Sequence, residues 1–267
     1  MALTSHGVRL PRTLRLALAY DGTDYAGWQI QPQAATIQGI LLRAARALDP
    51  AARLTGASRT DAGVHALRQV ASLETVSGLA PQTVQRALNA TIPGDIRVRD
   101  VGDAPAGFNA RRDATGKRYA YLIDAGSVAS PILRRFAWHH PRALDLGAIR
   151  AALGVLRGRH DFSAFCAAPG RDADPVCTVR AVHVLRRRSR LALVVSADRY
   201  LHHMVRNLVG SAVVVGSGAR DSRWLAEVLQ GRDRRRAAPT APPHGLALVR
   251  VLYDARHRSN PKGASEL

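Results

Sequence analysis

The sequence predicts an α+β fold built from two similar halves. Three observations carry this: short apolar runs of strand length, amphipathic stretches of helical period set between them, and the return of that order in the second part of the chain. Hydrophobic residues make up 46% of the 267 positions, enough for a packed core rather than disorder. No fixed-period repeat is present and no low-complexity linker separates the halves. We divide the chain into a disordered extension (1–12), an N-terminal half (13–113), a C-terminal half (114–256) and a disordered tail (257–267).

Residues 14–20 read as a strand that ends in the turn Asp21-Gly22-Thr23. Ile37, Ile40, Leu41, Ala44, Ala45 and Leu48 then share one helical stripe, with Thr36 as N-cap. A second helix runs over 81–90, where Pro81 suits a first turn, and 96–101 return as a strand. In the second half, 119–124 form a strand and 145–156 a helix with Leu146, Ile149, Leu153 and Leu156 in phase. Residues 179–185 and 191–197 make a hairpin around the arginine-rich turn 186–190. A long helix covers 201–215, a shorter one 222–229 stops at Gly231, and 246–253 close the fold as a strand.

Charge narrows the function classes. The net charge is +19, and of the 39 basic residues only Lys117 and Lys262 are lysine, so 37 are arginine. Such a field favours polyanions, nucleic acid above all, and guanidinium holds two phosphate oxygens at once. Two cysteines without a C-x-x-C pair form neither a disulfide scaffold nor a metal framework. The sequence contains no P-loop and no dinucleotide fingerprint. The apolar run 14–20 is too short for a signal or spanning segment, so we expect a soluble, cytoplasmic protein without membrane contact.

The most informative stretch is Gly56-Ala57-Ser58-Arg59-Thr60-Asp61-Ala62-Gly63-Val64-His65-Ala66. Small residues surround one carboxylate and one guanidinium, so both side chains and backbone can come close to a ligand. By itself this could equally be a structural Asp-Ala-Gly turn. Other motifs decide the matter: Tyr20-Asp21-Gly22-Thr23 with Tyr25, Gly27-Trp28-Gln29 and Gln31; Phe108 with Ala110-Arg111; Lys117-Arg118-Tyr119 with Tyr121; Gly158, His160-Asp161-Phe162 and Phe165; His202-His203-Met204-Val205-Arg206-Asn207 with Val209-Gly210; and Thr240-Ala241-Pro242 with Gly245-Leu246. In this order, along nearly the whole chain, they resemble the tRNA pseudouridine synthase A family.

That resemblance implies a pseudouridine synthase fold: two similar, ferredoxin-like α/β halves whose strands join into one continuous, mixed and mainly antiparallel sheet with a central cleft. It implies isomerisation of uridine to pseudouridine in the anticodon stem-loop of tRNA (positions 38, 39 and 40), by a homodimer, with no cofactor. Asp61 matches the catalytic aspartate, as nucleophile or as stabiliser of the sugar cation. Arg206 matches its ion-pair partner, and Tyr119 the tyrosine that stacks on the flipped base and can relay a proton. Substrate contact is implied for Arg59, His65, Arg111, Tyr119, His202 and Leu246. The helix pattern supports Arg206 independently, since it lies off the apolar stripe formed by Leu201, Met204, Val205, Leu208 and Ala212. Of the two tyrosines we select Tyr119 and expect Tyr121 on the opposite face of the strand.

His65, His202 and His203 have no acidic or cysteine partner at ligand spacing, and we expect no metal. Cys166 reads as a small, partly buried residue. The arginine runs 186–190 and 234–236 are either phosphate contacts or solvated loops. Ser58 stands where many relatives have glycine, and Tyr200 where Phe is frequent. The rival reading is a non-catalytic RNA-binding protein on the same scaffold, which would not need Asp61, Arg206 and Tyr119 together. A metal-dependent nuclease would need clustered carboxylates, and none stands out.

Overall fold

The computed structural model describes residues 10–167 and 174–254. The expected tail at 257–267, and all but the end of the expected extension at 1–12, lie outside them. Arg12, placed in that extension, already belongs to β1 (Arg12–Tyr20), opposite Thr75.

The N-terminal part continues with α1 (Ile37–Leu48), β2 (Arg53–Gly56), β3 (His65–Thr75), α2 (Pro81–Thr91) and β4 (Ile96–Asp103). Then come β5 (Ala114–Asp124), β6 (Trp138–His139), α3 (Leu146–Gly154), β7 (Gly158–Asp161), β8 (Val176–Arg187), β9 (Arg190–Ala197), α4 (Met204–Gly216), α5 (Trp224–Gly231) and β10 (Leu246–Tyr253). The strands join in one sheet of order β4-β1-β3-β10-β5-β9-β8-β7, with β2 beside β3 and β6 beside β5. Only β10 against β3 and β5 against β6 are parallel, so the sheet is mixed and mainly antiparallel, as expected. The last strand is the seam. β10 lies between β3 and β5 and makes one sheet of strands from both parts of the chain.

Alternation explains the strands. In β1, Leu14, Leu16, Leu18 and Tyr20 are buried in turn. Thr36 caps α1 by accepting from Gly39 N–H at 3.3 Å, and Asp145 caps α3 by accepting from Ala148 N–H. Helices α1 and α2 pack together against β2 and β4, while α3, α4 and α5 pack together beside β5, β7 and β8.

Three features differ from the sequence reading. Strand β3, at the centre of the sheet, was not anticipated, because buried His65, Gln69 and Ser72 interrupt its apolar pattern. The short β2 and the polar β7 escaped for want of length and apolar residues. The long helix begins at Met204, not 201, and is buried all round; of its residues only Arg206 and Val214 are not buried. A helix buried on nearly every side belongs to an interior, and Arg206 is where its burial is relieved beside Asp61.

Tyr121 is a correction of a different kind. Tyr119, Tyr121 and Ile123 are all buried on the same face of β5, because side chains two apart in a strand point the same way. The two tyrosines are separated along the strand, not across it. Tyr121 reaches past the cleft and donates to Pro242 O at 2.8 Å.

Candidate active site

The loop 57–64 carries Asp61 between β2 and β3, and two elements brace it. The first is the segment after β1. Trp28 N–H donates to Thr60 O at 3.0 Å, and Gly63 N–H donates to Tyr25 O at 3.3 Å. The hydroxyls of Tyr20 and Thr60 are 2.8 Å apart. This closeness explains the glycines: a Cβ on Gly22 would run into Val64 O, and one on Gly27, at φ +91, would lie 2.6 Å from Thr60 O. The second brace is Gln69, fully buried in β3. Its carboxamide accepts from Ser58 N–H at 3.2 Å and donates to Ser58 O at 2.7 Å.

Asp61 faces the start of α4. Arg206 Nη1 lies 3.4 Å from Asp61 Oδ2, so the pairing expected from resemblance is present across 145 residues of sequence. The guanidinium is fixed from the other side by the Thr240-Ala241-Pro242 segment. Arg206 Nε donates to Ala241 O at 2.8 Å, and Ala241 N–H returns a bond to Arg206 O at 3.2 Å. The arginine is therefore held by backbone before it meets the carboxylate.

Asp61 opens into a cleft of ≈ 480 Å³. Arg59, Arg111, Tyr119, His202 and Leu246, all expected at the substrate, line it with Asp61. Arg206 lies behind the carboxylate. Leu246 is buried, whereas Arg59, Arg111 and His202 are exposed at the surface. Tyr119 packs edge-on against Tyr200 at 5.0 Å between ring centroids, and its hydroxyl is 2.8 Å from Ser58 Oγ. Burial, aided by the charge of Asp61, pushes the phenol up to about 12, against the pull of the Ser58 bond. It is a neutral hydroxyl at physiological pH.

His65 is not in this cleft. It is buried in β3; its Nδ1 accepts from Gly22 N–H at 3.0 Å, which leaves Nε2 to donate to His244 O, also at 3.0 Å. The ring ties the opening motif to the segment before β10, and its Nδ1 also lies 3.1 Å from Asp21 Oδ1. Asp21, beside it, is held below the ordinary carboxylate value: burial opposes this, but the Thr23 hydroxyl and amide, His65 and Arg135 outweigh it.

His203, set aside with His65 and His202 in the sequence reading, stands beside Asp61. It takes a left-handed conformation at φ 59 just before α4, which brings its Nε2 to 3.5 Å from Asp61 Oδ2. Burial lowers its pKa from the ordinary 6.5; Asp61 acts against this, while Arg206, His202 and Arg234 add to it. His202 stacks on it with centroids 3.9 Å apart. The premise that these histidines lack an acidic partner is thus corrected: Asp61, His202 and His203 bring ligand atoms within 4.8 Å of one another. The partner comes from a distant loop, out of reach of any spacing rule. Arg206 competes for the same carboxylate oxygen.

The arginine runs divide. Arg234 is structural: its guanidinium donates to Ala238 O at 3.0 Å, Asn207 Oδ1 at 3.0 Å and Thr240 Oγ1 at 3.1 Å, which joins α4 to the segment that holds Arg206. Arg235 pairs with Asp233 at 2.8 Å. In the β8–β9 turn, Arg187 and Arg188 are exposed. Both Cys166 and Cys177 are buried.

Known proteins resemble this chain over most of its length. A family model described as tRNA pseudouridine synthase matches residues 16–111 and 152–254, which include Asp61 and Arg206. The chain is 44% identical over 250 residues to tRNA pseudouridine synthase A of Chloroflexus aurantiacus, covering 91% of this chain and 89% of that protein. With the protein of the same description from Myxococcus xanthus it shares 40% over 260 residues, 96% of this chain and 98% of the relative. With that of a Geobacillus strain it shares 37% over 247 residues, 92% and 100%. No helix among the described residues is long and apolar enough to cross a membrane. Matched across both parts of the sheet and over nearly the full length of its relatives, the chain belongs to the tRNA pseudouridine synthase family of isomerases.

Proposed function

We propose that this protein converts uridine to pseudouridine in the anticodon stem-loop of tRNA, at positions 38, 39 and 40, with Asp61 as the catalytic group. The observation that carries the reading is a carboxylate held at the mouth of a base-sized cleft, 3.4 Å from a backbone-anchored guanidinium, with Tyr119 and Leu246 among the lining. A uridine in a helix offers neither C1′ nor C5 to such a carboxylate, so the nucleotide must leave its stack. Tyr119 and Leu246 replace part of the lost stacking, worth about 1–3 kcal/mol per base.

In the cleft the C1′–N1 bond breaks, the uracil turns, and C5 bonds to C1′. C5 gives up its proton and N1 takes one, so the product is an isomer and no redox partner enters. Asp61 meets the sugar as nucleophile or as counter-charge to its cation. The Tyr119 phenol stands ready to carry the C5 proton. Arg59, Arg111 and His202 at the exposed rim contact the RNA, whose shape and phosphates are read more than its bases. The +19 charge serves the same end, and a homodimer would present two such surfaces to one tRNA.

The test is site mapping. Unmodified tRNA transcripts with uridine at 38, 39 or 40 are incubated with the protein, and pseudouridine is located by carbodiimide adducts and primer extension. New stops at those positions, absent when each uridine is replaced by cytidine, are expected. Stops elsewhere in the tRNA would reject the anticodon-arm assignment.

A further inference from the structure

In a chain with 37 arginines, Lys117 is the one lysine among the described residues. It lines the cleft with Arg111 and Tyr119, and from β5 it points the same way as Tyr119, two residues on. Lysine and arginine differ here in kind. Arginine spreads its charge over a fixed fork, whereas lysine offers a compact cation with three donors.

The surroundings of this amine are positive. Burial lowers its pKa, and Arg111 and Arg199 add to the effect. Asp198, the acidic group that acts against them, is already engaged: its Oδ1 accepts from Thr178 N–H at 2.8 Å and Arg199 N–H at 2.6 Å. Arg199 itself pairs with Asp174 at 3.3 Å. Among the described residues no ion pair to the Lys117 ammonium is formed. A part-buried amine in positive surroundings is held at an energetic cost that an anion would reverse, since a phosphodiester in the cleft would be attracted by Lys117 and Arg111 together.

We propose that Lys117 and Arg111 form a phosphate clamp that grips the RNA backbone next to the flipped uridine, Lys117 at the floor of the cleft and Arg111 at its rim. The clamp rests on the reading that the cleft receives a flipped nucleotide. It places a backbone contact inside the active site, on the strand that carries Tyr119, so that gripping the phosphate and positioning the base are one event. Lysine suits this place because an incoming phosphate favours the charged form that its present surroundings disfavour.

The experiment measures tRNA affinity for the full-length protein against salt concentration, together with KM and kcat, for wild type, Lys117→Met, Lys117→Arg and Arg111→Gln. Lys117→Met is expected to raise KM and to flatten the slope of log K against log[salt] by about 0.7–0.9, one phosphate contact, with kcat at saturation altered less than KM. Lys117→Arg, which keeps charge, should retain the slope and verify that the site tolerates substitution. Calorimetry in buffers of different ionisation enthalpy should show proton uptake by wild type above neutral pH, reduced in Lys117→Met. An unchanged slope in Lys117→Met, or a loss confined to kcat, would overturn the clamp; the latter would make Lys117 a proton carrier. Failure of wild type to modify tRNA would instead remove the reading on which the clamp rests, and wild-type activity in the same series separates the two outcomes.

Discussion

The hydroxyls of Ser58 and Tyr119 lie 2.8 Å apart, and they join the loop of Asp61 to the strand that carries the cleft tyrosine. Ser58→Ala is expected to cost about 1 kcal/mol of stability, the usual net worth of a hydrogen bond, measured by urea denaturation. It should also lower kcat several-fold at unchanged KM, because the phenol loses the partner that fixes its position. An unchanged kcat would show that Tyr119 is placed by packing on Tyr200 alone.

Gln69 carries the next prediction. Its carboxamide satisfies both backbone groups of Ser58 in a fully buried place. Gln69→Leu would leave an N–H and a C=O without partners, at about 1–3 kcal/mol each. The expected result is a marked loss of stability together with faster amide exchange over 57–61, read by hydrogen-exchange mass spectrometry.

Arg206→Ala should lower kcat by roughly 10- to 100-fold, the rate equivalent of the about 1.5–3 kcal/mol carried by a hydrogen bond to a charged group. Arg206→Lys keeps the charge but cannot hold Ala241 O and Asp61 Oδ2 together as the guanidinium does. Steady-state kinetics should therefore place the lysine variant between alanine and wild type.

His203 gives a pH dependence with a definite sign. Its pKa is depressed by burial, so the ring is neutral in the folded protein at neutral pH. As pH falls below 6.5 the unfolded chain takes up the proton first, and stability from this group is lost through the depressed folded value. Protonation also sets a second cation beside Asp61, against Arg206, His202 and Arg234. We expect kcat/KM to fall on the acid side below 6.5, and His203→Asn to flatten that limb. A limb unchanged in the variant would assign it to another group.

Much of the architecture could be read from the residues, and the exceptions share a cause. β1, α1 and β10 announce themselves because one face is apolar and the other is not. β3 does not, since its interior holds His65, Gln69 and Ser72, whose hydrogen bonds are made to loops and not to solvent. Asp61, Arg206 and Tyr119 were legible through motifs. Their supports were not: Ser58 with Tyr119 spans 61 residues, and Arg206 with Ala241 spans 35. Only the path of the chain reveals such pairs. His203 shows the same limit, because its relation to Asp61 exists only after α4 docks beside the loop.

The central claim is that Asp61 performs the chemistry, and the direct measurement is release of tritium from tRNA labelled at uridine C5, with no added cofactor and with chelator present. C5 must lose its hydrogen when it becomes the glycosidic carbon. Wild type should release label while Asp61→Asn, of almost equal size but uncharged, releases none and still binds tRNA. Tight binding without release by wild type would mark a non-catalytic RNA-binding protein, and release by Asp61→Asn at the wild-type rate would contradict the role given to Asp61.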